Sequence, residues 1–205
     1  MSLADCDATS TITDIDGNVY PVVQIGSQCW MAANLRTTRY RNGDPIPQVT
    51  DSIQWQNLAA PAWCWYNNDP SFDIPYGKLY KWYAVSDSRG ACPNGWHLPS
   101  ISEWDALHSS IGVNVEVWTA MKAIPPLWNG TNESGFNAVP AGVKFIPAFS
   151  GFDDLGINTV WWTSTQSAQL EAAVYIIDLS GFWLSTTSSI QGAKKNGNSC
   201  RCVRD

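Results

Sequence analysis

The stretch from Cys92 to Trp104 constrains the fold more than any other part of the chain, because independent signals for the start of a helix meet there. Pro99 ends the segment before it, and Ser100 with Glu103 matches a capping box, in which each side chain accepts a hydrogen bond from the other residue's backbone N–H. Apolar or partly apolar residues then recur at intervals of three or four, at Ile101, Trp104, Leu107, His108 and Ile111. The sequence predicts a helix with one buried face that the rest of the chain covers.

The composition indicates a folded domain without a nucleic-acid partner. Apolar residues make up 44% of the chain, charged residues make up 15%, and there are 12 tryptophans, a balance that disordered chains do not have. The formal net charge is −6, and the 12 lysines and arginines are scattered. Phosphate binding and electrostatic binding to a membrane surface both need a basic patch, so we expect neither.

The N-terminus and the cysteines bear on localisation. No apolar run approaches the length of about 20 residues that spans a bilayer, so no transmembrane segment is expected. Residues 1–12 lack the pattern of a signal peptide, which predicts either a cytosolic protein or a cloning scar at Met1-Ser2-Leu3 followed by the start of a mature exported chain. An even number of cysteines without a C-x-x-C motif favours three disulfides in an exported protein, with 15 pairings open. The cysteines are Cys6, Cys29, Cys64, Cys92, Cys200 and Cys202.

Residues 11–26 predict two short strands joined by a turn at Asp16-Gly17-Asn18. The aspartates also invite a calcium-loop interpretation. The EF-hand pattern fails, however, because Gly17 stands at the fourth loop position and Ile25 replaces the glutamate at the twelfth. A tight hairpin explains the residues better, since Asp, Gly and Asn all suit a turn.

The remaining elements are short. A helix is expected within residues 51–60, and Asn114 is expected to cap a helix that turns Val117, Met121 and Ile124 inward until Pro125-Pro126 ends it. Residues 127–160, rich in Gly, Asn and Pro, predict a long loop region that is functional or built from short strands. Strands follow at 160–164, 173–179, 182–184 and 199–204, with a turn at Ser180-Gly181. Residues 13–205 are therefore expected to form one α+β domain.

Five motifs in this order resemble the Fibrobacter succinogenes major paralogous domain family, known from lipoproteins and other exported proteins of Bacteroidetes and Fibrobacteres. The resemblance covers about residues 13–205. The motifs are Asp14-Ile15-Asp16-Gly17-Asn18-Val19-Tyr20, Ile25-Gly26-Ser27-Gln28-Cys29-Trp30-Met31-Ala32-Ala33-Asn34-Leu35, Cys92-Pro93-Asn94-Gly95-Trp96-His97-Leu98-Pro99, Trp161-Trp162-Thr163-Ser164-Thr165 and Arg201-Cys202-Val203-Arg204-Asp205.

The resemblance implies a C-type lectin-like fold: two helices around a curled, mainly antiparallel sheet, with a long loop region on one side and a disulfide that staples the first helix to the last strand. By position, Cys92 and Cys202 match that staple. The other cysteines are then expected to pair as Cys29 with Cys64 and Cys6 with Cys200. In a regular strand Cys200 and Cys202 face the same side, which suits two neighbouring bridges and disfavours a bond between them.

The residues favour binding over catalysis. His97 and His108 are expected to be structural, and no nucleotide-binding or hydrolase motif occurs. A thiol enzyme of the formylglycine-generating fold class is the enzyme alternative, but the close pair Cys200 and Cys202 has no flanking group that would lower a thiol pKa. The calcium motifs of sugar-binding C-type lectins, Glu-Pro-Asn or Gln-Pro-Asp followed by Trp-Asn-Asp, are absent, which disfavours calcium-dependent sugar binding. No cofactor is expected, and calcium is kept as an alternative that no motif supports.

The candidate ligand-binding residues lie in the long loop region. Trp128, beside Asn129 and Asn132, is expected to be an exposed platform, because indole faces stack on sugars and on peptide side chains. Asp153, Asp154 and Asn158 could hold an ion or a ligand hydroxyl, although solvated loop acids explain them too. Core positions are expected at Trp30, Trp82, Trp96, Trp104, Trp161 and Trp162.

These expectations together predict a non-enzymatic, extracellular or envelope-associated module that recognises a glycan or a surface protein through its long-loop face. The family resemblance places it on the outer-membrane surface as a lipoprotein, with its anchor upstream of residue 1. A purely structural or adhesive surface module is the alternative.

Overall fold

The computed structural model describes residue 6 and residues 10–112, 116–146, 151–178, 182–185 and 192–205. The helices in these ranges are α1 (Ser52–Asn57), α2 (Asp73–Tyr76), α3 (Trp82–Val85), α4 (Ile101–Ile111) and α5 (Glu116–Met121), with 3-10 turns at Tyr66–Asn68 and Pro70–Phe72. The strands are β1 (Thr11–Thr13), β2 (Val19–Ile25), β3 (Gln28–Met31), β4 (Trp63–Cys64), β5 (Leu79–Tyr80), β6 (Trp96–His97), β7 (Ala141–Lys144), β8 (Phe152–Leu155), β9 (Thr159–Ala168), β10 (Glu171–Ile177), β11 (Phe182–Ser185) and β12 (Val203–Arg204). Among the described residues, no helix is both long and apolar enough to cross a membrane.

The first sheet has the strand order β1-β2-β3-β12-β6 and is antiparallel throughout. The predicted hairpin at its edge is confirmed. Its turn is fixed by the buried carboxylate of Asp14, which accepts hydrogen bonds from the backbone N–H groups of Asp16 and Asn18 and from the Tyr20 hydroxyl. Asp14 therefore shapes the turn, whereas the Asp16 carboxylate accepts a hydrogen bond from the Thr38 hydroxyl over 2.8 Å.

The second sheet has the order β11-β10-β9-β7-β8 and is antiparallel except where β7 meets β9. Residues 197–199 connect the sheets: Gly197 bridges to Lys144 in β7, Asn198 to Tyr80 in β5, and Ser199 to Trp161 in β9. From there the chain enters β12, which lies between β3 and β6 in the first sheet. Since β4 and β5 form a third, two-stranded sheet, the last residues of the sequence contact all three sheets of the described fold.

Helix α4 confirms the prediction made from its capping box. The Ser100 N–H donates to Glu103 Oε2 over 2.7 Å, and the Glu103 N–H donates to the Ser100 hydroxyl over 3.4 Å. Its buried face carries Trp104, whose ring stacks on Tyr175 with centroids 4.8 Å apart and lies against Trp161 at 5.5 Å. The helix thereby closes one side of the second sheet.

The second predicted helix is shorter than expected. Helix α5 ends at Met121, so the expectation that Ile124 lies on its inner side is wrong. The Ala123 N–H donates to the Ala138 carbonyl, outside the helix. Because the backbone has left the helix at this point, the Ile124 side chain is exposed to solvent. Asn114 and the side chain of Val117 lie outside the described residues, as does the turn at Ser180-Gly181. Residues 127–160 contain β7 and β8, in line with a region partly built from short strands.

One of the three expected disulfides is present, and a different disulfide, Cys6–Cys29, forms in place of the other two. Cys92 and Cys202 are bonded with their Cα atoms 6.0 Å apart, as the family resemblance implies. Cys6 is bonded to Cys29, so the pairings of Cys29 with Cys64 and of Cys6 with Cys200 are wrong. Cys64 lies in β4 within an apolar cluster around Trp55, separate from the cluster that contains Cys29. It remains a buried free thiol, as does Cys200.

The described chain is thus a mixed α/β fold with few helices, two five-stranded and mainly antiparallel sheets, the two-stranded β4-β5 sheet, and two disulfides. Disulfides persist chiefly in proteins that mature in oxidising compartments, which agrees with an exported or envelope protein.

We predict that a non-reducing peptide map of protein matured in an oxidising compartment contains two cross-linked pairs, Cys6 with Cys29 and Cys92 with Cys202. Because Cys64 and Cys200 are buried, they should react with an alkylating reagent only after unfolding. The double substitution Cys92→Ala/Cys202→Ala should lower the free energy of unfolding by about 4 kcal/mol, since it reopens a long loop in the unfolded chain. A cross-linked peptide that contains Cys200 would contradict this assignment.

Candidate functional site

The loop that follows α5, residues 122–137, is the best-defined candidate site, and it is braced against the helix. The last carbonyl groups of a helix have no partner within it. Here the loop and the residue after it supply the donors: the N–H groups of Thr131, Ser134 and Ala138 donate to the carbonyls of Thr119, Ala120 and Met121 over 2.8, 3.0 and 2.8 Å. The backbone of the loop is therefore ordered by the end of α5.

Two further bonds close the loop on its own first residues. The Gly130 N–H donates to the Ala123 carbonyl over 2.9 Å, and the Asn132 N–H donates to the Lys122 carbonyl over 3.1 Å. The backbones approach so closely that a Cβ atom at Gly130 would lie 2.1 Å from the Lys122 carbonyl oxygen. Only glycine fits there without movement of the backbone.

The platform predicted at Trp128 is not exposed. Trp128 is only 6% exposed and packs in the core with Met121 and Phe136. The Lys122 ammonium lies over its ring, 4.8 Å from the centroid. The expectation of an exposed indole is wrong because the loop folds back over its own helix and needs an apolar anchor. Trp128 is that anchor.

The exposed part of the loop is aliphatic. Ile124 is 57% exposed and Leu127 is 41% exposed, and between them Pro125 and Pro126 are exposed as well. We call residues 124–127 the apolar tip. The sequence interpretation missed it by assigning Ile124 to the inner face of a helix. The double proline was the available signal, because a helix ends before it and the residues at its borders leave the buried face.

The two asparagines of the predicted site differ in role. Asn129 is exposed at the end of the apolar tip, where it is available to a ligand. Asn132 has a positive φ of 54°, and its side-chain oxygen accepts a hydrogen bond from the Asn137 N–H over 2.8 Å. Asn132 therefore shapes the loop.

The acidic group of the predicted site lies elsewhere. Asp153 and Asp154 are in β8, which packs with Tyr66 in a different apolar cluster from that of Trp128. Asp154 has a positive φ of 63°, and its Oδ2 accepts a hydrogen bond from the Asn158 side-chain amide over 2.7 Å. Asp153 Oδ1 accepts from the Asp154 N–H over 2.8 Å. Asp154 and Asn158 thus brace the turn between β8 and β9, and Asp153 is exposed in β8.

Lysine ammonium groups cover many of the indole faces that the sequence offered for ligand stacking. Five buried lysines lie over tryptophan rings at centroid distances of 4.3 to 4.9 Å: Lys78 over Trp63, Lys81 and Lys144 over Trp55, Lys122 over Trp128, and Lys194 over Trp82. Trp30, Trp96, Trp104, Trp161 and Trp162 are buried as predicted, and Trp82 is half-buried. Of the tryptophans whose side chains are described, none is an exposed platform.

His97 links three parts of the fold. Its Nδ1 lies 2.6 Å from Asp205 Oδ1 and its Nε2 lies 2.6 Å from Glu103 Oε1, so carboxylates occupy both ring nitrogens. Burial opposes the charged imidazolium, but the hydrogen bonds to Asp205 and Glu103 prevail and raise the pKa of His97. Burial likewise opposes the charged form of Glu103, while Ser100 and His97 lower its pKa. This arrangement supports the structural role expected for His97, since neither nitrogen is left for a substrate.

The close cysteine pair does not form a dithiol. Cys202 is bonded to Cys92, and the three sulfur atoms of Cys92, Cys200 and Cys202 lie within 4.8 Å of one another. Burial raises the pKa of the Cys200 thiol, so the nucleophilic thiolate is disfavoured. The geometry gives no support to the thiol-enzyme alternative.

We predict that Trp128→Ala lowers the free energy of unfolding by about 3 kcal/mol, because it empties a packed position beneath Lys122. Leu127→Ala is the matched control next to it and should cost less than about 1 kcal/mol, since Leu127 is 41% exposed and not part of the packed core. Urea titration followed by tryptophan fluorescence measures both. Equal effects of the two substitutions would contradict the assignment of Trp128 as the anchor.

We predict that His97 makes stability depend on pH. Because the folded-state pKa of His97 is raised above 6.5, its contribution is fully present below pH 6.5 and is lost as the pH rises through the folded-state value. Because the pKa of Glu103 is lowered below 4.5, its contribution is present above pH 4.5 and is lost as the pH falls through the folded-state value. The melting temperature of wild type minus that of His97→Gln should therefore be largest between these two values.

The corresponding difference in the free energy of unfolding should be modest, about 1 kcal/mol or less, since the side chains of His97 and Asp205 are 37% and 57% exposed to screening solvent. Asp205→Asn should reduce the same pH dependence while keeping the bond from its backbone N–H to the Gly95 carbonyl. A difference that grows as the pH rises from 6.5 to 9 would contradict the assignment.

The family model of the Fibrobacter succinogenes major domain matches residues 23–204. The matched range includes the Cys92–Cys202 disulfide, α4, the whole 122–137 loop and the turn between β8 and β9. No curated protein and no solved structure matches the chain.

Proposed function

The chain belongs to the Fibrobacter succinogenes major domain family, and we propose that it is a non-enzymatic binding module of the cell envelope that recognises its ligand through the 122–137 loop. Of the two ligand classes expected from the sequence, a glycan and a surface protein, we favour the protein. The observation that carries the proposal is the apolar tip, residues 124–127, held out in solvent on a braced loop.

An exposed aliphatic tip on an ordered backbone suits protein recognition. Contiguous apolar surface rimmed by polar residues marks interaction sites, and here Asn129, Thr131 and Glu133 are the exposed polar neighbours. The hydrogen bonds to α5 fix the loop before binding, so little conformational entropy is lost when a partner docks.

The nature of the exposed side chains favours protein over glycan. Sugar rings stack on aromatic faces, and the lysine ammonium groups over Trp55, Trp63, Trp82 and Trp128 compete for those faces. The apolar tip offers isoleucine, leucine and proline instead. These side chains bury apolar surface well but supply no aromatic ring for a sugar to stack on.

We further propose that the fold is C-type lectin-like and that the protein is an outer-membrane surface lipoprotein. The Cys92–Cys202 disulfide, which joins the approach to α4 to the last strand, supports the first proposal. The two disulfides and the family support an exported location in general terms.

A structural or adhesive module is the second candidate, and one observation favours it. Most polar groups of the predicted site, at Asn132, Asp154 and Asn158, bind to other parts of the chain and shape its turns. If this candidate is correct, the apolar tip contacts no specific partner.

A photo-cross-linking amino acid at position 127 tests the proposal. We expect it to cross-link one envelope protein in living cells, whereas the same amino acid at Leu170, which is 67% exposed in a turn of the second sheet, should not. Added wild-type protein should compete for the partner, and Ile124→Ser/Leu127→Ser should compete at least tenfold less well with an unchanged melting temperature. Equal cross-linking at both positions, or equal competition by the double variant, would favour the structural module.

In parallel, a glycan array tests the other ligand class. Binding to a defined glycan that is lost in the double variant would keep the binding module but assign it a carbohydrate ligand.

A further inference from the structure

The β1 strand is the edge strand of the first sheet among the described residues, and the pairing register shows which of its backbone groups face outward. Ile12 is paired with Tyr20, and the Val22 N–H donates to the Ser10 carbonyl, so Ser10 and Ile12 direct their backbone groups toward β2. Backbone groups alternate in direction along a strand. Thr11 and Thr13 therefore direct their N–H and C=O groups away from β2, and neither residue forms a backbone hydrogen bond on that side within the described chain.

This edge lacks the residues that protect an edge strand. Charged side chains and proline normally block the addition of a further strand. At the edge of the second sheet, β8 carries Asp153 and Asp154, whereas β1 reads Thr-Ile-Thr. Thr11 and Thr13 are exposed and small, so another backbone can approach.

Residues of the same strand line two surface cavities. The larger, of about 430 Å³, lies beside Thr11 and Ile12 over Val22 and Trp96, with Arg204 and Asp205 at its end. The smaller, of about 190 Å³, continues past Thr13 to Pro93 and Arg41. Ile12 and Asn94 line both cavities, so together they form one groove along β1. Apolar side chains at alternate positions of an added strand would face this groove, because every second residue of a strand faces the same side.

We propose that β1 is a strand-addition site for an extended segment of a partner polypeptide, which pairs with Thr11 and Thr13 and places an apolar side chain beside Ile12, at the border of the groove. Free N–H and C=O groups at strand spacing are recognised by another backbone, and the groove adds selectivity for side chains.

The site is distinct from the loop of the proposed function. Gly135 in that loop lies against Val23, since a Cβ atom there would be 2.7 Å from Val23 Cγ2. Val22 faces the groove, and adjacent residues of β2 point to opposite faces of the sheet. The two sites therefore lie on opposite faces of the first sheet, and each can be lost without the other.

The test uses a library of randomised twelve-residue peptides displayed on phage, selected against the whole protein, with enriched peptides then synthesised. Thr13→Pro removes the outward N–H and leaves the Ile12 and Asp14 bonds of the hairpin in place. Thr13→Val is the matched control, because it alters the side chain and keeps the N–H. Thermal melting checks that both variants fold.

We expect Thr13→Pro to weaken peptide binding at least tenfold and Thr13→Val to change it less than twofold. In wild type, the bound peptide should slow amide hydrogen exchange at Thr11 and Thr13 while Ile12 remains protected throughout. Binding to Thr13→Pro within twofold of wild type, or no enriched peptide, would overturn the proposal. A wild-type dimer in sedimentation that Thr13→Pro dissolves would also overturn it, by assigning the edge to a second copy of this chain.

Discussion

The buried guanidinium of Arg201 forms the contact that joins the base of the 122–137 loop to the strands beneath it. Arg201 is fully buried and has no carboxylate partner among the described residues. Its Nε and Nη2 donate to Asn34 Oδ1 over 3.2 and 2.9 Å, and its Nη1 and Nη2 donate to the carbonyls of Phe136 and Asn137. Burial lowers its pKa to about 9, which reflects the cost of keeping the charge inside.

This cation ties distant motifs of the sequence to one point. Asn34 Oδ1 also accepts a hydrogen bond from Trp161 Nε1 over 2.9 Å, so the second, fourth and fifth family motifs meet at a single amide oxygen. The guanidinium also lies over the Phe136 ring, 4.2 Å from its centroid. Since Phe136 and Asn137 end the 122–137 loop, the same contact that joins the sheets also holds the base of the proposed binding loop. Asn34, Trp161 and Arg201 belong to the motifs that identify the family, and here all three maintain the fold.

Cation–π contacts with buried lysines and Arg201 explain why many of the tryptophans lie in the interior. A buried ammonium or guanidinium needs compensation, and this fold supplies much of it through carbonyl oxygens and aromatic faces. The Lys81 ammonium, for example, donates to the carbonyls of Trp55, Leu58 and Lys195 while it lies over the Trp55 ring. Burial and the neighbouring lysines lower its pKa to about 7. Tryptophans that suggested ligand stacking in the sequence thus belong largely to the interior.

Short sequence motifs predicted local structure well, but they did not predict contacts between residues far apart in the chain. Ser100 with Glu103 and the Asp16-Gly17-Asn18 turn specify their own geometry through nearby hydrogen bonds, so α4 and the first hairpin followed from the sequence. The Cys92–Cys202 disulfide came from family resemblance, whereas Cys6–Cys29 could not be chosen among many pairings because no local pattern fixes a partner. Trp128 was misplaced for a related reason. Its burial depends on Lys122 and on hydrogen bonds from Gly130 and Asn132, which exist only once the loop has folded back on α5.

Amide hydrogen exchange in Arg201→Lys, compared with wild type under native conditions, tests the central role of the guanidinium most directly. Lysine keeps a positive charge but lacks the planar group that reaches Asn34 and the loop carbonyls together. The account predicts at least tenfold faster exchange at Gly130, Asn132 and Ala138, with unchanged exchange at Ile12 and Tyr20 in the β1–β2 hairpin. Unchanged protection of the loop, or a uniform acceleration across the protein, would contradict it.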